Sequence, residues 1–76
     1  MARIVDADNT WRSVTLTADE VWQVREGSVL LSTDATEAQR EGFLLAHLEA
    51  MRFSNGHTVF YRLASGTSAR IARDAV

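Results

Sequence analysis

Every glycine in this chain stands second in a turn-type dipeptide: Glu26-Gly27, Glu41-Gly42, Asn55-Gly56 and Ser65-Gly66. Glycine reaches positive φ at no steric cost, so such pairs mark where a chain reverses or bends. The runs between them are short and apolar or alternating, which predicts a string of strands rather than a helical bundle.

The alternation assigns faces. In residues 13–17, Val14 and Leu16 share one side, the period-two pattern of a half-buried strand. In residues 21–25, Trp22 and Val24 oppose Gln23 and Arg25, and Trp22 reads as core. Glu26-Gly27 separates this run from residues 28–32, and two strand-like runs split by two residues ending in Gly predict a hairpin. Residues 57–64 follow Asn55-Gly56, which suits a type I′ hairpin turn. There Val59, Tyr61 and Leu63 share one face, while Phe60 and Arg62 share the other. Ser65-Gly66 then turns the chain into residues 68–73, with Ala69 and Ile71 on one side.

Residues 33–39 read as a surface loop, and the segment after them supports two structures. Residues 36–53 are rich in good helix formers, and Asp34-Ala35-Thr36-Glu37 and Thr36-Glu37-Ala38-Gln39 both fit a capping box. Leu44, Leu48 and Met51 would share a helical face. Against this, Gly42 would sit inside the helix at a cost of about 1 kcal/mol relative to Ala, and the flank of Asn55-Gly56 looks extended. Strands over 42–45 and 49–53, turning near 46–48, are favoured. The predicted fold is all-β: a small antiparallel β-sandwich or barrel of about six to seven strands, with α+β as the alternative. Residues 1–10 form an N-terminal arm in which Arg3 to Val5 can pair as an edge strand, and residues 11–76 form a single β domain.

Composition limits what holds such a domain together. The 76 residues include no cysteine, so no disulfide or thiolate metal site staples it. A core this small supplies roughly 3–5 kcal/mol by itself, which makes self-association the remaining source of stability. The longest apolar stretch, residues 43–46, is far short of a membrane span. Asp6 and Asp8 stand where a signal peptide needs apolar residues, so a virion or cytoplasmic product is expected over a secreted one. Residues 1–50 carry four arginines and nine acids, a balance of −5; residues 51–76 carry four arginines and one acid, a balance of +3. With a pI near 5.5, the pattern reads as a solvated face with partner contacts rather than a nucleic-acid stripe, and it also suits head-to-tail packing of copies; no nucleic-acid or membrane partner is expected.

No catalytic constellation emerges. His47-Leu48-Glu49 has a His-x-Glu form, but no further ligands stand at zinc-binding spacing. Ser65-Gly66-Thr67-Ser68 lacks the repeated glycines and the following helix of a phosphate loop. The paired acids Asp6 and Asp8, Asp19 and Glu20, and Glu37 and Glu41 read as solvated loop residues. No catalytic, cofactor-binding or metal-binding residue is assigned, no cofactor is implied, and the chain is expected not to be an enzyme. The informative surplus is apolar. If Val29, Leu31, Val59, Tyr61 and Leu63 face inward, Leu30 and Phe60 face outward. A strand that is apolar on both faces is either fully buried within the chain or covered by a partner. Trp11, Leu30, Arg52, Phe60, Arg62 and Arg70 are the candidate interface residues, with the arginines pairing acids of a neighbour.

The stretches Val24-Arg25-Glu26-Gly27-Ser28-Val29-Leu30-Leu31-Ser32-Thr33, Glu41-Gly42-Phe43-Leu44-Leu45, Met51-Arg52-Phe53, Gly56-His57-Thr58-Val59-Phe60-Tyr61-Arg62 and Ala69-Arg70-Ile71 resemble small accessory structural proteins of tailed bacteriophage virions, over residues 11–73. The chain departs from that pattern at Ala46-His47-Leu48, where a Gly or Pro turn belongs. The resemblance implies a compact β-sandwich or barrel, built as an oligomer into a head, neck or tail fibre; the expected assembly is a homo-oligomer, a trimer, on a capsid, neck or tail alongside other virion proteins. It carries no catalytic residues. The alternatives are a cellular β-barrel that binds a peptide or small ligand, and a small α+β regulatory protein.

Overall fold

Two long strands carry this fold, and four short ones flank them. The computed structural model describes residues 2–33 and 42–76. Its elements are β1 (Ala2–Ile4), β2 (Arg12–Thr15), β3 (Glu20–Ser32), β4 (Phe43–Leu45), β5 (Ala50–Phe53) and β6 (Thr58–Ala75). All pairings are antiparallel within one sheet, and the sheet is not closed into a barrel. The all-β expectation holds. Within residues 42–53, the described part of the helical alternative, 43–45 and 50–53 are strands; the capping boxes at 34–39 and the expected loop at 33–39, apart from Thr33, lie outside the described residues.

The sheet has two halves because β3 and β6 pair along their whole lengths with a break in the middle. In the first half, residues 20–24 of β3 pair with residues 71–75 of β6, flanked by β5 and β1. In the second half, residues 28–32 pair with residues 60–65, flanked by β4 and β2. Between the pairs Glu26↔Arg70 and Ser28↔Ser65, β3 advances two residues and β6 advances five. Extra residues in one strand bend it and increase its twist. They also change which side chains face inward. Trp22 and Val24 are buried before the break and Val29 and Leu31 after it, so β3 switches parity there.

The bend lets the halves share one core, in which Trp22, Val24, Val29, Leu31, Val59 and Ile71 are fully buried. Trp22 of the first half meets Phe53 edge-on at 5.4 Å and Tyr61 of the second half at 6.2 Å. Such aromatic pairs contribute about 0.5–1.5 kcal/mol beyond their buried area. Every inward face expected from alternation is buried or packed on this core, including Val14, Leu16, Leu63 and Ala69. The described part of the N-terminal arm, residues 2–10, joins in through β1, with Ile4 and Ala7 buried.

Three expected turns are different objects. Glu26-Gly27 does not make a hairpin: it lies inside β3, at the bend. There φ of Gly27 is +77°, and a Cβ would lie 2.7 Å from the Ser68 carbonyl oxygen, so the two long strands approach closely at this point. Ser65-Gly66 likewise lies inside β6. The chain does turn at 54–57, where His57 N–H donates to Ser54 C=O at 3.3 Å. Gly56 alone of the central pair has positive φ, which is the type II pattern rather than type I′. It carries the chain from β5 on one side of β3 to β6 on the other.

The expected turn near 46–48 is present, but it does not reverse the chain, because β4 and β5 both lie antiparallel along the same edge of β3. Leu48 N–H donates to Val24 C=O at 2.7 Å, and Val24 N–H to Glu49 C=O at 3.0 Å. Leu48 supplies the positive φ, +69°, that Gly or Asn normally would. Its conformation is held by Glu49 N–H donating to Ala46 C=O at 3.0 Å and Ala46 N–H donating to Glu49 Oε1 at 2.7 Å.

Candidate functional site

With the core shared between the halves, each half turns one face outward, and the six candidate interface residues divide between these faces. Register places Leu44, Leu30 and Arg62 in one row across β4, β3 and β6 of the second half. The next row holds Ser32, which is buried, Phe60, which is half-buried, and the exposed Ser13. Trp11 precedes β2 and lies against Arg62, whose guanidinium carbon is 5.6 Å from the indole centroid. Trp11, Leu30, Phe60 and Arg62 therefore do come together. Leu44, which sequence reasoning did not single out as an interface residue, extends their row to the sheet edge at 61% exposure; Phe43, paired with Leu31, is exposed at the same edge but has the opposite parity. The signal for Leu44 was present as the middle apolar residue of Phe43-Leu44-Leu45, a favoured strand to which no faces were assigned.

This face mixes apolar side chains with one partly satisfied cation. Arg62 is half-buried, and among the described residues its Nε has no hydrogen-bond partner. Indole stacking holds the guanidinium plane without neutralising its charge.

Arg52 and Arg70 lie on the other outward face, in the first half. Arg52 is opposite Val21 and reaches Asp19 at 3.7 Å; Arg70 reaches Glu26 at 3.3 Å. Both pairs are solvent-exposed, where an ion pair is worth about 0–1 kcal/mol. Near Arg70 the face sinks into a half-open depression of about 690 Å³.

The loop acids do more than meet solvent, which sequence reasoning missed. Asp6 accepts a 2.8 Å hydrogen bond from the Tyr61 hydroxyl, and burial together with this carboxylate pushes the Tyr61 pKa up to about 12. Asp8 accepts from Arg12 and from the Thr10 N–H and hydroxyl; the Arg12 hydrogen bond, then those from Thr10, hold its carboxyl well below the usual range. Asp19 accepts from the Asn55 N–H at 2.7 Å, tying the 54–57 turn to the start of β3. Glu20 sits largely buried at the edge of the core. It takes Arg73 in two hydrogen bonds of 2.9 and 3.0 Å and the Trp22 indole N–H at 2.9 Å. Arg73 in turn lies 5.3 Å from the Trp22 ring centroid. The hydrogen bonds from Arg73, then the one from Trp22, lower the Glu20 pKa against the opposing effect of burial. No local pattern announces the contacts of Asp6 and Asp19 or the Glu20–Arg73 pair, because each joins residues distant in sequence; the bonds of Asp8 to Thr10 and Arg12 are local.

His47 and His57 are exposed at turns, and among the described residues no three His, Cys, Asp or Glu side chains lie together to hold a metal. No protein family, curated protein or solved structure matches this chain.

Proposed function

We propose that this chain is a non-enzymatic structural component that self-associates through the outward face of its second half, as a subunit of a phage-like particle. The observation that carries this reading is the continuous row of Leu44, Leu30 and Arg62, with Phe60 and Trp11 beside it, on a sheet whose other face is already spent on the core. An apolar cluster at the end of an edge strand is what a soluble monomer avoids and an oligomer uses. A second copy is the favoured occupant for two reasons. A core this small gains most from burying a further face, and the chain is acidic over its first fifty residues and basic over the rest, so copies can pair their charges head to tail. The virion setting rests on the resemblance noted above.

Native mass spectrometry with light scattering tests the reading. The wild type is expected as a defined multi-subunit species. Leu44→Asp places a charge in the interface without touching the core and is expected to give a folded monomer. A wild type that stays monomeric at every concentration, or a variant that keeps the oligomer, refutes it.

A further inference from the structure

We propose that the depression on the outward face of the first half is a binding site for a phosphate-bearing small molecule. Three arginines from three strands reach it: Arg3 of β1, Arg25 of β3 and Arg70 of β6. Its floor is made small by Ala72 and Ala50, which stand on either side of Gln23 in one row. Arg3 is opposite Ala72, and Arg70 and Arg25 stand at the end of the face nearest the bend. Asp74 also lines the depression, but it is opposite Val21, at the far end. Rows on one face of a strand are about 7 Å apart, so Arg25 and Arg70 are separated from Asp74 by the alanine row, in which Arg3 also stands. The lining carries three cations and one anion in a chain whose net charge is −2.

The donors there are incompletely used. Arg70 has an exposed partner in Glu26, yet its Nε is buried with no hydrogen-bond partner among the described residues. Arg25 donates to the Gln23 side-chain oxygen at 2.9 Å, a neutral acceptor. No ion pair of Arg3 occurs among the described residues. A single carboxylate matches one guanidinium fork, whereas a phosphate monoester brings close to two negative charges and three acceptor oxygens into one group. The volume lies in the range of small-molecule sites, about 300–1,000 Å³. The alanines and Val21 offer an apolar bed for whatever the phosphate is attached to. A small ligand is favoured over a long polyanion because it meets the local positive field, while a polymer also meets the net negative charge of the molecule.

Titration of the whole chain by amide-resolved NMR with inorganic phosphate, adenosine monophosphate, a short single-stranded oligonucleotide and an oligoglutamate peptide tests this. Adenosine monophosphate and phosphate are expected to shift the amides of Gln23, Arg25, Ala50 and Ala72 saturably. Arg25→Ala and Arg70→Lys should each weaken adenosine monophosphate about tenfold, the loss of one charge-assisted contact. Arg12→Ala, in the other half, should leave it unchanged. Arg70→Lys keeps the charge facing Glu26, so the fold is maintained while the fork is lost. Absence of saturable shifts with either phosphate probe, or equal affinity in the arginine variants, overturns the proposal. Tighter binding of the oligonucleotide with a steep salt dependence, or of oligoglutamate, overturns it in favour of a polyanion or acidic-protein surface.

Discussion

Replacing Gly27 by alanine would place a Cβ 2.7 Å from the Ser68 carbonyl oxygen and 3.1 Å from the Ala69 Cβ. The control is built into the opposite strand. Gly66 has nearly the same backbone, φ +78° against +77°, but a Cβ there meets nothing within 4 Å. Both substitutions carry the left-handed conformational penalty of about 1–2 kcal/mol, reduced by about 0.4–1 kcal/mol because alanine stiffens the unfolded chain. Gly66→Ala is therefore expected to lose about 1 kcal/mol. Gly27→Ala adds an overpacking term of about 1–3 kcal/mol, since the obstructing atoms are backbone and a buried methyl on the paired strand. Its total of about 2–4 kcal/mol consumes most of the roughly 3–5 kcal/mol available to a small unstapled core. Urea denaturation followed by tryptophan fluorescence reads both, as Trp22 is fully buried. The difference between the variants isolates the contact across the bend. Equal losses would refute the argument that close approach of β3 and β6, rather than positive φ alone, demands glycine at 27.

Leu48→Asn, at an exposed positive-φ position, should raise stability by about 0.5–1 kcal/mol in the same urea assay, since asparagine tolerates that conformation better than leucine; a loss would show that the Leu48 side chain matters more than its backbone. Glu20→Gln should destabilise by about 1–3 kcal/mol at neutral pH, because Arg73 keeps its charge in a largely buried place. The Glu20 pKa is lowered by folding, so its stabilisation is complete above the unfolded glutamate value and fades as pH falls through the folded one. The wild type and Glu20→Gln should then converge in acid, and a gap independent of pH would contradict the assignment. Tyr61 behaves in the opposite sense: its raised pKa gives stability that is full below about 10 and lost as pH rises towards about 12. Tyr61→Phe should remove that alkaline decline in a pH series of thermal melts, and an unchanged decline would assign it to other groups.

The core was legible in the sequence because side-chain direction along a strand is a local property. Trp22 and Val24, Val29 and Leu31, and Val59, Tyr61 and Leu63 each declare their face by alternation, and each is buried. The candidate interface was legible by subtraction, since Leu30 and Phe60 are the apolar residues left on the wrong parity. That Trp11, Leu30, Phe60 and Arg62 meet on one face while Arg52 and Arg70 lie on another was not legible. It depends on the pairing of β3 with β6, which brings Leu30 opposite Arg62 and Glu26 opposite Arg70. The roles of Asp6, Asp19 and Glu20 were hidden for the same reason, as their partners Tyr61, Asn55 and Arg73 lie tens of residues away.

The sequence by itself determined an all-β chain, the inward set of side chains, and the sites where the backbone needs glycine. Tertiary structure decided what those glycines do. Positive φ serves a tight reversal and a bulge equally well, so Glu26-Gly27 and Ser65-Gly66 look like hairpin turns until the opposite strand is known. Ser28 and Ser65, paired in the sheet and joined by a 2.9 Å hydroxyl contact, show that strand at the bend. Two long strands that bend together, rather than four short ones that turn back, let a single sheet cover its own core and leave two unlike faces outward: one apolar, the other lined with arginine.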